Sequence, residues 1–213
     1  KIDLRKIEQF KNLSKEETLD ITVAQYVVCI GASTGGPALL PELIGLLNPD
    51  FKAAVIIVQH MPPKYTAIFA NQLAQITKLK VSEAKNNETI KEKHIYVCPG
   101  DRNLLVERSK IRLVEIPENS IWQPSIDETF MSVADNYFNK CIGVILTGMG
   151  NDGVQGAALI KARGGKIICQ SPDTAMISRM PESVINAGFA DFILAPRVII
   201  AKLNHWQKNK YKF

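Results

Sequence analysis

The run Gly31-Ala32-Ser33-Thr34-Gly35-Gly36 sets a serine among small residues directly after the apolar stretch Tyr26 to Ile30. Gly31-x-Ser33-x-Gly35 satisfies the nucleophile-elbow pattern, in which small neighbours permit a tight strand-to-helix turn. A serine hydroxyl is a poor nucleophile at neutral pH and needs an adjacent base. Histidine suits that role, because its unperturbed pKa of about 6.5 lets it accept and return a proton near neutrality. A buried carboxylate then fixes the imidazole tautomer and stabilises the imidazolium. Ser33, His60 and Asp152 supply these three types, each after an apolar run. The chemistry they suit is acyl transfer from a carboxyl ester, the work of a serine hydrolase. Gly148 to Gly153 offers backbone N–H groups at a further helix start; Met149 N–H is a candidate oxyanion donor, and a second donor is expected near His60.

Each residue also has a plainer reading. Ser33 fits a glycine-loop serine or a helix N-cap, His60 a structural histidine at a strand end, and Asp152 in Asn-Asp-Gly an ordinary turn carboxylate. Of the other two histidines, His94 lies among lysines and His205 in a basic tail, and both are expected at the surface. A dinucleotide site is the sharper rival, because glycine loops after a first strand often cradle pyrophosphate. Three features oppose it. Pro37 removes an N–H from the helix start that would bind the phosphate. The second strand ends in Gln59-His60 where an acidic ribose ligand is expected. The Tyr-x-x-x-Lys pair of short-chain dehydrogenases is absent.

Strands and helices must bring the three residues together. Tyr26-Ile30, Ala53-Val58 and Cys141-Thr147 are unbroken apolar runs, as strands buried on both faces are. Helices are expected from Pro37 to about Leu47, Thr66 to Gln75, Ser125 to about Phe138 behind a capping box, Gly153 to Gly164, Pro181 to Asn186, and after Pro196. Lys166-Gln170 and Asp191-Leu194 complete the strands. The middle, about Val81 to Ile116, carries short β segments at Ile95-Val97, Leu104-Val106 and Ile111-Val114, read as a hairpin attached to the main sheet. The alternation predicts an α/β fold: a doubly wound, mostly parallel sheet with helices on both faces and a small antiparallel β excursion. In such sheets ligands bind beyond the carboxyl ends of strands. Ser33, His60 and Asp152 would then share one rim.

Composition bounds the rest. Of 213 residues, 46% are hydrophobic, enough for the core of one large domain. Residues 1–24 are polar, with weak helical periodicity at Leu4, Ile7, Phe10 and Leu13, and read as a linker or appendage. Residues 25–204 form the expected catalytic domain and 205–213 a basic tail. The net charge is +5, but the last 13 residues hold four lysines and no acid. The other 200 residues are nearly neutral, which argues against a nucleic-acid surface. No apolar run approaches the roughly 20 residues that span a bilayer, and the start lacks signal-peptide architecture. Cys29, Cys98, Cys141 and Cys169 form no C-x-x-C pair and no zinc-spaced cluster, so buried thiols in a reducing, cytoplasmic setting are expected.

Five segments together resemble the catalytic domain of the bacterial chemotaxis protein-glutamate methylesterases, the CheB-type family. They are Val28 to Pro37, Gln59-His60-Met61-Pro62-Pro63, Cys98-Pro99-Gly100-Asp101-Arg102, Pro124-Ser125-Ile126-Asp127 and Leu146 to Gly153. Met180-Pro181 matches too, and the resemblance runs from about Tyr26 to Leu203. It implies hydrolysis of glutamate γ-methyl esters on cytoplasmic helices of methyl-accepting chemotaxis receptors, with methanol released, and glutamine deamidation besides. It maps the family's catalytic serine, histidine and aspartate onto Ser33, His60 and Asp152, with Thr34 as a supporting residue after the nucleophile. No metal or organic cofactor is implied. Gln123 stands where members commonly carry an arginine, and Trp122 precedes it. Arg179 stands where glycine is common and could supply a substitute cation; Gln123 and Arg179 are therefore the substrate-binding candidates. Most members carry an N-terminal receiver domain. None precedes residue 25 here, so a receiver in cis is expected only in a longer parent protein.

Overall fold

The computed structural model describes residues 22–209. The periodic stretch from Leu4 to Leu13 and the end of the basic tail lie outside the described residues. β1 (Val27–Ala32), β2 (Ala54–Gln59), β4 (His94–Val97) and β7 (Cys141–Ile145) are buried at every position. This burial on both faces is why they read as continuous apolar runs. With β3 (Lys80–Glu83), β8 (Lys166–Gln170) and β9 (Phe192–Leu194) they form a seven-stranded sheet of order β3-β4-β2-β1-β7-β8-β9. Every pairing in it is parallel.

Side chains alternate between two apolar layers. Val28, Ile30, Ile57 and Val144 pack under α1 (Gly36–Gly45), α2 (Pro63–Ala74) and α6 (Pro196–Lys208). Val27, Cys29, Ile56 and Ile145 pack under α3 (Ile126–Tyr137), α4 (Val154–Ala162) and α5 (Arg179–Asn186). β5 (Arg102–Glu107) and β6 (Lys110–Glu115) form a separate antiparallel pair. Its Leu104, Val106 and Ile111 extend the second layer. The doubly wound architecture is the expected one, with two corrections. Ile95-Val97 belongs to the main sheet, since β4 pairs with both β2 and β3. The basic stretch from His205 continues α6 through Lys208, because Ile199, Leu203 and Trp206 form one buried stripe at helical spacing. No helix among the described residues is long and apolar enough to cross a membrane.

All four cysteines are free and buried, as expected. Burial pushes the Cys141 and Cys169 thiols up to about 12, and Cys29 well above its ordinary value. None is therefore a thiolate nucleophile near neutral pH.

His94 overturns its surface assignment. It is 4% exposed, its Nε2 lies 2.8 Å from Ser82 Oγ, and its ring stacks on Tyr96. The flanking lysines mislead because β4 is an inner strand whose side chains are covered on both faces. Burial, then the nearby charges of Lys80 and Lys91, push its imidazole down to about 4. The folded value lies below the ordinary 6.5, so the unfolded chain binds more protons between these limits. Stability from neutral His94 is thus full above about pH 6.5 and lost as pH falls through about 4. In denaturant unfolding, the stability advantage of wild type over His94→Gln is expected to shrink by up to about 3 kcal/mol across that window. A pH-independent difference would refute the buried neutral state.

Candidate active site

Three loops leave the carboxyl ends of β1, β2 and β7, where the sheet order reverses direction on either side of β1. Ladder hydrogen bonds carry the first two loops one step past their strands. Ser33 N–H donates to Thr147 O at 3.0 Å, and His60 N–H donates to Ala32 O at 3.0 Å. The Gln59 side chain, buried beneath them, donates from Nε2 to both Ser33 O at 2.9 Å and His60 O at 3.1 Å. One amide therefore ties the two loops together. Its signal in sequence is a polar residue ending an apolar strand.

The side chains then form a continuous relay. His60 Nδ1 lies 3.1 Å from Ser33 Oγ, and His60 Nε2 lies 2.8 Å from Asp152 Oδ2. A neutral ring protonated on Nε2 donates to Asp152 and leaves the Nδ1 lone pair facing the serine hydroxyl. Asp152 is wholly buried. Its Oδ2 also accepts from Ile126 N–H at 2.7 Å, and its Oδ1 accepts from Asp127 N–H at 2.9 Å and Ser125 Oγ at 3.4 Å. Asp152 thus sits on the first turn of α3, where orphan N–H groups and the helix dipole favour a carboxylate. Ser125 caps the same helix by accepting from Glu128 N–H, as its sequence position led one to expect.

The capping is reciprocal. Asp127, on α3, accepts from Gly156 N–H at 2.7 Å in the first turn of α4. Burial pushes its carboxyl up to about 6, against that hydrogen bond and with help from the Asp152 charge. A raised folded value means that Asp127 favours the fold most below about pH 4, a contribution lost as pH rises through 6. This is opposite in sense to His94, and subtracting the His94→Gln variant from wild type cancels it.

The loop after β7 supplies main-chain donors. Thr147 Oγ1 donates to Thr34 O at 2.9 Å and accepts from Ile177 N–H at 3.0 Å. Gly148 lies so close to Ser33 that a Cβ there would meet Ser33 Cβ at 2.7 Å. The next N–H is that of Met149, whose side chain is 62% exposed. Among the described residues neither Met149 N–H nor Thr34 N–H finds an acceptor. Two unpaired donors beside a serine hydroxyl can receive an oxyanion.

The two substrate-binding candidates lie outside the relay. Arg179 is exposed at the start of α5 and borders a cleft of about 560 Å³ with Gly150, Asn151, Glu182 and Ser183. Gln123 is exposed and makes no hydrogen bond among the described residues. Its neighbour Trp122 stacks on His60, with centroids 5.3 Å apart and planes 8° from parallel. Sequence reasoning did not single out that contact. Among the described residues no three His, Cys, Asp or Glu side chains converge as a metal centre would.

A family model described as CheB methylesterase matches residues 28–203. A protein of Caldanaerobacter subterraneus subsp. tengcongensis named protein-glutamate methylesterase/protein-glutamine glutaminase is 39% identical over 218 residues, covering 95% of this chain and 59% of that protein. A protein of the same name from Archaeoglobus fulgidus is 44% identical over 166 residues, covering 76% and 47%. The crystal structure of the Thermotoga maritima CheB methylesterase catalytic domain superposes with a TM-score of 0.80 at 38% identity, covering 86% of this chain and 99% of that one. The chain spans about half to three fifths of the length of the curated relatives.

Proposed function

The chain belongs to the CheB methylesterase family, and from that premise we propose that it removes methyl esters from glutamate side chains on the cytoplasmic helices of chemotaxis receptors, releasing methanol. The observation that carries this reading is the unbroken relay from Ser33 Oγ through His60 to the buried Asp152. His60 Nδ1 takes the Ser33 proton as Oγ attacks the γ-carbonyl. The oxyanion is held by the N–H groups of Met149 and Thr34. Collapse expels methanol with the proton from His60, leaving a glutamyl ester on Ser33. Water, deprotonated by His60, attacks that ester, and the glutamate carboxylate leaves as Ser33 regains its proton.

A glutamine side chain offers the same carbonyl with ammonia as leaving group, so deamidation belongs to the same proposal. The reading places the protein in the cytoplasm, with receptor helices as partners. If this chain is part of a longer protein, a receiver domain in cis is the regulator proposed with it. Arg179, beside the Gly150-Asn151 loop, is proposed to contact the acidic receptor segment, with Gln123 more peripheral.

Methanol release from methylated receptor membranes tests the reading. Release proportional to the amount of chain added is expected. No release above the membrane blank would overturn it.

A further inference from the structure

We infer that Trp122 is a positioning residue for His60: its indole sets the plane of the imidazole between Ser33 and Asp152 and faces the charge that the ring acquires during reaction. This rests on the reading of Ser33, His60 and Asp152 as the reacting groups.

Hydrogen bonds at Nδ1 and Nε2 fix two points of the His60 ring. They leave it free to rock about the line joining them. A flat surface laid against one face removes that freedom, and Trp122 supplies it at 5.3 Å and 8°. The imidazole is only 12% exposed, and the stacked indole is one of the surfaces against it.

The indole is packed tightly against Gly150, at φ +96°, where a Cβ would fall 2.1 Å from Trp122 Cη2. Gly150 therefore serves two ends, since its left-handed backbone disfavours a side chain and its bare Cα admits the ring. The segment is tied down on both sides. Ser120 Oγ donates to Trp122 O at 2.8 Å, and Ser125 N–H donates to Asn103 Oδ1 at 2.9 Å. Trp122 thus couples the base to the loop that carries Met149 and Asp152.

When His60 takes the Ser33 proton, the ring becomes a cation stacked on an indole, the aromatic that holds cations best. The charged group bonded to His60 is Asp152, on Nε2, and Asp127 on α3 acts in turn on Asp152. Neither covers the face that Trp122 covers.

Two measurements test the inference, and only one needs the proposed activity. In the methanol assay, Trp122→Leu is expected to lower kcat about 30-fold, the size of a desolvated cation–π contact. KM should stay within about twofold, and Trp122→Phe should recover most of the loss. Unchanged kcat, an effect in KM alone, or equal loss in the Leu and Phe variants would overturn it.

The second readout is fluorescence without substrate. The chain has 2 tryptophans, and a protonated imidazole stacked on an indole quenches its emission. Emission from Trp122 should fall as His60 is protonated, and this component should vanish in both Trp122→Phe and His60→Gln. Any pH dependence that both variants retain belongs to Trp206 and is subtracted. A titration that survives His60→Gln unchanged would refute the contact. Quenching present without any methanol release would instead leave the contact standing and overturn the methylesterase reading.

Discussion

Alanine at Ser33 is expected to lower methanol release by about 10⁴-fold or more while leaving the chain folded. The Ser33 side chain has one hydrogen bond among the described residues, the 3.1 Å contact with His60 Nδ1. What holds the residue in place is main chain: its N–H on Thr147 O, its carbonyl accepting from Gly36 N–H and from the Gln59 amide. Alanine keeps all of these. The melting transition should therefore move little, as for a substitution that leaves no buried group unpaired. Rate left over would come from the Met149 and Thr34 donors and from binding. A Ser33→Ala chain with activity within tenfold of wild type would place the nucleophile elsewhere.

Asp152 is expected to behave differently, because the fold and the proposed reaction both call on it. Its carboxylate is buried and accepts from His60, from two N–H groups of α3 and from Ser125. Asp152→Ala leaves those donors orphaned at a buried helix start. The expected cost is about 3–5 kcal/mol in denaturant unfolding, besides an activity loss of about 10⁴-fold. Asp152→Asn keeps one carbonyl oxygen for the helix N–H groups, so its stability cost should be smaller, about 1–2 kcal/mol. Its activity should fall nearly as far, because an amide turned to serve α3 no longer holds the His60 tautomer that leaves Nδ1 open to Ser33. Equal stability of the Asn and Ala variants would mean that the helix cap is not what Asp152 contributes to the fold.

These two residues show how far the sequence could be read. Ser33, His60 and Asp152 were visible because each follows a strand whose apolar run is unbroken, and parallel strands send such loops to one rim. The helix start at Ser125 was visible because its capping signal is local. His94 was misread for the converse reason. Its neighbours in sequence are lysines, but its neighbours in space are Ser82 and Tyr96, and only strand pairing shows them. The same holds for Ile95-Val97, which local pattern could not distinguish from a hairpin strand.

By itself the sequence determined most of the main-sheet strands, though neither β3 nor the place of β4, along with the glycine loops, the three candidate reacting residues and the family resemblance. All of these are written in residue type and short spacing. Tertiary structure alone decided that Gln59 ties the two loops, that Asp152 and Asp127 cap each other's helices, and that Trp122 lies on His60. Each of those is a contact between segments joined by no local period. Side-chain periodicity says which way a residue points within its own element, and it is silent on which element waits there.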